Sequence, residues 1–222
     1  MKKPLEEAEA ILARMMNALT MRLPGKGRPA AEFRVAMGNL MANLEDRIDD
    51  ETVGTELLNV FDLAREAGGT LDSFDDVRLA MLDEQAPVYV FGQALVLGGL
   101  VFSLTEQCKL LSVMTFVSRD DVQVMIKRMI PVLDTTKLET AERLDGQNYQ
   151  NVIALSASLM QHLAVTERQL PRLVHFHFPT RLPSLYLSHR LYWVGSRSDE
   201  IAAENKTIHP AFVQATVKAL SA

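Results

Sequence analysis

The first candidate for chemistry is a set of three residue types near the C-terminus of this 222-residue chain: Ser188, His189 and Asp199. A serine, a histidine and a carboxylate form a hydrolase triad when their side chains meet. Ser188 and His189 are sequence neighbours in a helical pattern, where adjacent side chains point in different directions. The chain also lacks the Gly-x-Ser-x-Gly turn, HExxH, CxxC and the dinucleotide-binding glycine pattern. We therefore predict no enzyme and no catalytic residue.

Two further groups have the residue types of a metal site. His175 and His177 alternate in a strand-like run and would face the same side, as two metal ligands do. No Cys, Asp or Glu lies at the usual short spacing, which favours a strand edge that faces solvent or a partner. The carboxylates between Glu45 and Glu51 have no histidine near them and indicate a solvated helix junction. The sequence predicts no metal and no cofactor.

The charge pattern bears on nucleic acid as a partner. The chain has 23 Lys and Arg against 28 Asp and Glu, a formal net charge of −5, and its basic residues are scattered among carboxylates. Phosphate binding needs a concentrated basic face. Gly25-Lys26-Gly27 lacks the spacing of a phosphate-binding loop. We predict no nucleic-acid partner, and we interpret the single Cys108 as a small core residue.

The elements that must position any site are helices over most of the chain, because apolar residues recur at i, i+3 and i+4. The pattern predicts helices over about 5–22, 30–48, 71–82 and 149–169, with another around Phe61. The first buries Leu5, Ala8, Ile11, Leu12, Met15, Met16 and Leu19. The second buries Phe33, Met37, Leu40, Met41, Leu44 and Ile48. Caps are predicted at Gly68-Gly69 and at Asp72 or Ser73.

Residues 85–105 form an uncharged segment that is long enough to span a membrane. Acidic flanks and three glycines argue against a span and favour a central helix that is buried on most sides. Gly92, Gly98 and Gly99 would then allow neighbouring helices to approach closely. This helix is expected to continue through Cys108 to Phe116. We predict no membrane partner.

The second half of the helical region has its own start and stop signals. Ser118 is a predicted N-cap, with Asp120 and Asp121 in the first turn of the helix. Pro131 is expected to bend or end that helix, and Asp145-Gly146 to break the chain again. Short connections between amphipathic helices indicate a helical bundle.

After Pro171 the pattern changes. Residues 173–178 alternate at period two and predict a strand. Pro183 is expected at the first position of a helix with an apolar side of Leu185, Leu187, Leu191 and Tyr192. A second helix is expected to have Ser196 as its N-cap and Ile201 facing inward, with a left-handed Asn205 closing it and His209-Pro210 leading to an extended exit.

This tail resembles the C-terminal part of the DNA circularisation (DNA circulation) proteins of Mu-like phages and prophages. The resemblance spans about residues 88–213 and is strongest in the last forty of them. Its central part includes Phe116, Ser118-Arg119 and Asp121. Its C-terminal part matches at Leu170-Pro171, Leu182-Pro183, Leu185, His189 to Tyr192, Gly195, Arg197, Asp199-Glu200, Ala203, Asn205, Ile208 to Pro210 and Phe212-Val213.

The resemblance implies a structural component of a contractile phage or phage-like tail, at the baseplate or hub, which acts in tail assembly through protein–protein contacts. It implies other tail subunits as partners (hub, tube, sheath or wedge proteins), copies of the chain in a ring, assembly in the host cytoplasm and a place in the virion. The tail segment is similar to a LysM module. We predict that this segment binds its partners through Leu185, His189, Tyr192, Trp193, Arg197, Asp199, Asn205, His209 and Pro210.

We accordingly predict a mainly α protein: a multi-helix bundle followed by a small α+β LysM-like module. The expected regions are an N-terminal helical region (1–85), a central bundle (86–170) and the module (171–222). The chain departs from the family by starting without its β-rich N-terminal domain, by carrying Trp193-Val194 in the turn, and by having Gln214-Ala215-Thr216 where Pro-Gly is usual. The alternative function is peptidoglycan binding by the module.

Overall fold

The computed structural model describes residues 2–84, 87–142 and 146–221. Their elements are, in chain order, α1 (Lys2–Thr20), α2 (Arg28–Ala42), α3 (Leu44–Asp49), α4 (Val53–Glu66), α5 (Leu71–Leu82), α6 (Val90–Val113), α7 (Arg119–Glu142), α8 (Gly146–Gln169), β1 (Leu173–His177), α9 (Ser184–Tyr192), α10 (Ser198–Glu204) and β2 (Thr216–Leu220). The predicted fold class, mainly α with a small α+β module at the C-terminus, is confirmed.

The chain divides into two compact units. One contains Met1–Met114 and Met129–Met160, and the other contains Thr115–Arg128 and Gln161–Ala222. In the first unit, α6 packs against α1, α4 and α5, and α2 packs against α4. Six of the seven residues predicted on the α1 face are buried, and Leu5 packs against the same core.

The helix predicted over residues 30–48 is two helices. Asn43 lies between α2 and α3 with φ −118° and ψ 28°, outside the helical region. Its side-chain Nδ2 donates to Asn39 O at 2.9 Å, a local bond that competes with helix continuation. The predicted seam holds for Phe33 and Leu40, whereas Met41 is exposed.

The connection between α4 and α5 is closed by two caps. Gly68 has φ 97°, and Gly69 N–H donates to Ala64 O at 2.9 Å, so the predicted glycine cap is confirmed. The N-cap of α5 is Thr70, not Asp72 or Ser73, and Ser73 is its partner in a capping box.

The central uncharged helix is α6. Glu7 of α1 accepts hydrogen bonds from Val88 and Tyr89 N–H at 3.0 and 3.1 Å, which holds a carboxylate at the positive end of this helix. A Cβ on Gly99 would lie 2.7 Å from Met15 Cε, so the predicted close approach is confirmed there. The helix ends at Val113, before the predicted Phe116, because Met114 is extended.

By length and composition α6 could cross a membrane, and 61% of its most apolar 18-residue window is buried inside the protein. It carries Glu106, whose side chain is fully buried. Arg65 Nε and Lys109 Nζ donate to the two carboxylate oxygens of Glu106 at 2.8 and 2.7 Å. The buried charge is therefore paired at both oxygens.

The start of α7 is as predicted: Ser118 N–H donates to Asp121 Oδ2 at 2.9 Å, and Asp121 N–H donates to Ser118 Oγ at 3.3 Å. Pro131 was expected to bend or end this helix. It does not end the helix, since α7 continues to Glu142. Val132 and Leu133 are buried beside the proline, and such packing offsets a poor helix former. Asp145 lies outside the described residues, and α8 begins at Gly146.

The C-terminal module is built in the order β1–α9–α10–β2. Its two strands pair antiparallel, with Leu173 opposite Leu220 and His177 opposite Thr216, so the predicted first strand is confirmed. The helices and strands share a small core of Phe178, Leu187, Ile201, Val213 and Val217.

Several local predictions for this module are wrong. Pro183 is the N-cap of α9 rather than its first helical residue, and Leu185 is exposed because the helix buries Ser184, Leu187 and Ser188 instead. Arg197, not Ser196, precedes α10, and its side chain makes no cap bond.

The exit of α10 also differs from the prediction. Asn205 has φ −93°, and the left-handed residue is Lys206 at φ 48°. The chain then turns at Pro210, where Phe212 N–H donates to His209 O at 3.0 Å.

Candidate functional site

The nine residues assigned to partner binding all lie in the C-terminal module, where they fall into an inward and an outward group. The inward group is Tyr192, Arg197 and Asn205, which are half-buried and bonded within the module. The outward group, which is exposed, is Leu185, His189, Trp193, Asp199, His209 and Pro210.

Tyr192 joins α9 to α10 and β2. Its hydroxyl lies 2.8 Å from Leu220 O and 3.2 Å from Glu200 Oε1, and it can donate to either. Arg197 donates twice to Glu200, both times at 2.8 Å, and its guanidinium lies 3.7 Å from the centre of the Tyr192 ring. Burial, followed by the Glu200 carboxylate, raises the pKa of Tyr192 to about 12. This phenol stays neutral and acts as a structural hydrogen-bond donor.

Asn205 connects the end of α10 to β2. Its Nδ2 lies 2.8 Å from both Ile201 O and Lys218 O, and Lys218 N–H donates to its Oδ1 at 2.7 Å. The carboxamide therefore pairs with both main-chain groups of Lys218, much as a residue of a third strand would. This role was not apparent from the sequence, because it depends on a strand that follows eleven residues later.

Exposed apolar side chains lie at the end of α9 and in the turn that follows it. Trp193 is 87% exposed, Leu185 57% and Val194 44%. A Cβ on Gly195 would lie 3.1 Å from Leu185 Cδ1 and 3.7 Å from His189 Nε2, so the turn after α9 packs against that helix. We call Leu185, His189, Trp193 and Val194 the α9 patch.

The turn that carries the α9 patch is fixed from inside. Ser188 is buried, and its hydroxyl donates to Val194 O at 2.5 Å. Trp193 is the C-cap of α9 in a left-handed conformation, with φ 62°. Ser188 thus stabilises the turn, because its hydroxyl group donates its hydrogen bond to a main-chain carbonyl oxygen.

His209 and Pro210 lie in the loop between α10 and β2. The His209 ring is 5.7 Å from the Phe212 ring, and Pro210 O accepts from Ser184 N–H at 2.7 Å, which ties the loop to the start of α9. Ile208 and Phe212 in this loop are also exposed. Both match the family pattern described above, but they are not in the predicted partner-binding set, since isolated apolar residues on a surface are common.

A shallow polar depression lies beside β2. It is lined by His175, Glu204, Asn205, Lys206, Gln214, Thr216 and Lys218. Burial, then the carboxylates of Asp121 and Glu200, raise the pKa of Glu204. His175 and His177 are exposed, and His177 Nδ1 lies 3.3 Å from Thr216 Oγ1.

Within the described ranges, no group of three or more His, Cys, Asp or Glu side chains is placed to hold a metal ion. Cys108 is buried, and burial raises the pKa of its thiol to about 12. Comparison of the chain with models of known protein families and with curated proteins gives no match.

Proposed function

We propose that this chain is a structural component of a contractile phage or phage-like tail, at the baseplate or hub, and that it acts in tail assembly through protein–protein contacts. The observation that carries the proposal is the α9 patch. The module presents Trp193, Leu185 and Val194 to solvent, while Tyr192, Arg197 and Asn205 hold the module together. Aromatic side chains that enter a partner's pocket are typical anchors of protein interfaces.

The element order supports the resemblance on which the proposal also rests. A LysM-like module requires two helices between two antiparallel strands, and β1–α9–α10–β2 has that order. Trp193-Val194, where the chain departs from the family pattern, lies in the α9 patch. The departure therefore adds apolar surface at the point where we propose docking.

The proposed partners are other tail or baseplate subunits, such as hub, tube, sheath or wedge proteins, together with copies of the chain in a ring. Closed rings are common among homo-oligomers, and each subunit then offers the same patch. Assembly is proposed to take place in the host cytoplasm and to leave the chain in the virion. The proposal includes no catalytic step, cofactor, nucleic acid or membrane.

Deletion of the coding sequence from the particle's genome tests the role. We expect tails without complete baseplates in negative-stain electron micrographs, and restoration by the wild-type chain. Trp193→Asp should fail to restore baseplates because it places a charge in a desolvated contact. Met21→Asp, at a residue that is 82% exposed in the first unit, should restore them and is the matched control. Normal particles after deletion would contradict the proposal.

The alternative, peptidoglycan binding, is favoured by one observation: the depression beside β2 is lined by polar side chains, which can form hydrogen bonds with sugar hydroxyls. Sedimentation of the full chain with purified sacculi separates the two functions. Saturable binding that Lys218→Glu abolishes and Trp193→Asp preserves would replace the assembly proposal. If no more of the chain sediments with sacculi than without them, the glycan function has no support.

A further inference from the structure

The two-stranded sheet of the module has two outer edges, and the register of the strands decides which main-chain groups face each of them. Ser221 N–H donates to Arg172 O at 2.7 Å, and Phe178 N–H donates to Ala215 O at 2.8 Å. These bonds flank the β1–β2 ladder, so the even-numbered residues of β1 bond to β2. Leu173, His175 and His177 therefore direct their N–H and C=O groups away from β2.

The outer edge of β2 is covered by side chains of the same module. Asn205 bonds to both main-chain groups of Lys218, and the Tyr192 hydroxyl lies 2.8 Å from Leu220 O. A strand from another chain would have to displace these bonds before it could pair with β2. This edge is closed.

The outer edge of β1 is open. In the part of the chain that the structure describes, no hydrogen bond reaches the outward groups of Leu173, His175 or His177. Val174 and Phe176 between them are each 37% exposed, and the strand has no lysine, proline or bulge to prevent pairing. An exposed, uncharged edge of this kind is a template for strand addition.

We propose that the β1 edge binds the β1 edge of a second copy of this chain, antiparallel and with His175 on the two-fold axis. In this register Leu173 pairs with His177 of the second copy, and His175 pairs with its own equivalent. The outward N–H and C=O groups of Leu173, His175 and His177 then face the same groups of the second copy and can form hydrogen bonds with them. The result is a four-stranded sheet in the order β2–β1–β1–β2.

The side chains complement one another in the same register. Val174 lies opposite Phe176 of the second copy, and a β-branched residue opposite an aromatic one is a favourable cross-strand pair. The five residues of β1 carry no Asp, Glu, Lys or Arg, so no like formal charges are opposed. A strand with charged residues would complement this edge less well than the strand's own copy does.

A five-residue strand pair buries less surface than the roughly 1,200 Å² of a standard stable interface. The purified chain should accordingly dimerise weakly and reversibly, with a mass that rises with concentration. Sedimentation velocity over about 10–500 µM measures this, since that range lies between the micromolar and millimolar dissociation constants of weak complexes. A chain that stays monomeric throughout would overturn the proposal.

His175→Lys places two fixed positive charges opposite each other at the axis, and we expect it to raise the dissociation constant about tenfold or more. Ser196→Lys adds the same charge at an exposed residue of the turn before α10 and should change the constant less than about twofold. If both variants change the dissociation constant equally, or if His175→Lys does not change it, the dimer forms through another surface. Either result would overturn the proposal.

Amide hydrogen exchange provides a readout that net charge does not change. Raising the protein concentration should slow exchange at the amides of Leu173, His175 and His177, and leave Val174 and Phe176, already bonded to β2, unchanged. Uniform slowing along β1, or none, would contradict the register. This inference stands apart from the assembly role, because it is tested on the purified chain alone.

Discussion

At the scale of single residues, Trp193 combines two unfavourable features. Its left-handed backbone, φ 62°, costs a residue with a Cβ about 1–2 kcal/mol. Its side chain is 87% exposed, so burial within the module does not offset that cost. The left-handed residue closes α9, since Trp193 N–H donates to His189 O at 3.0 Å, but a residue without a Cβ would close the helix at a lower cost.

Trp193→Gly should therefore stabilise the folded chain by about 1 kcal/mol, because glycine adopts positive φ without the Cβ clash. Urea unfolding of the purified chain measures this change. Trp193→Ala keeps the Cβ, and so the strain, and should leave the stability close to that of the wild type. If Trp193→Gly lowers the unfolding free energy, the indole packs within the module and the strain argument is wrong.

From the sequence we could select the candidate residues of the module, but not predict which of their side chains point inward and which point to solvent. The predicted partner-binding set includes Tyr192, Arg197 and Asn205 together with Leu185 and Trp193, although only the last two are strongly exposed. Their directions depend on contacts with residues far along the chain, such as Leu220 and Lys218. The Arg197–Glu200 pair is local, at spacing i, i+3, and could have been predicted.

At the scale of elements, prediction succeeds where one periodic face meets one core. The α1 face and the bounds of α5 follow from the spacing of apolar residues, because a 3.6-residue period fixes the buried side. The break at Asn43 and the continuation through Pro131 were missed. In both cases local propensity and tertiary packing favour different outcomes, and only the structure shows which of them prevails.

Two ion pairs between α4 and α6 form a charged cluster of Asp62, Arg65, Glu106 and Lys109, which gives the first unit a pH-dependent contribution to stability. Asp62 Oδ1 accepts from Lys109 Nζ at 2.8 Å and from Arg65 at 3.0 Å. The hydrogen bond from Lys109, followed by that from Arg65, lowers the pKa of Asp62 although partial burial opposes this. The stabilisation is present above the unfolded-state value of about 3.9 and is lost as the pH falls through the lower folded pKa.

Asp62→Asn should remove this contribution. At pH 7 we expect a loss of about 0.5 kcal/mol, a small value because the pair is partly exposed and screened by solvent. The difference between variant and wild type should shrink towards zero as the pH falls below 4, which urea unfolding from about pH 2 to 7 would show. Asp49→Asn, at the exposed acidic junction, is the control. A difference that grows on acidification would contradict this assignment.

At the scale of the whole molecule, the fold class could be read from the sequence because its two parts have different periods. Helical spacing runs to residue 169, and period-two alternation begins at 173. The pairing of β1 with β2 could not be read in the same way. Thr216–Leu220 is a short strand whose partner lies about forty residues earlier, and its identity depends on closure around Leu187 and Ile201.

Among the described residues, the buried core of the module is much smaller than the main buried core of the first unit, and this difference predicts which part of the chain a core substitution destabilises. The module core has five buried residues, whereas the first unit has a far larger one built on α1, α2 and α4 to α6. Leu187 is fully buried in the small core, so Leu187→Ala should cost about 2–5 kcal/mol by losing apolar contact and leaving a cavity. A core of this size has little else to offset such a loss.

Hydrogen exchange read by mass spectrometry tests this distribution in the intact chain. Leu187→Ala should speed exchange in β1, α9, α10 and β2 by about 30-fold or more, and change α1 to α6 far less. Leu100→Ala, also fully buried but in the large core, is the matched control and should show the opposite pattern. Equal acceleration in both parts by either variant would mean that they unfold as one cooperative body. In that case the module could not open without the rest of the chain.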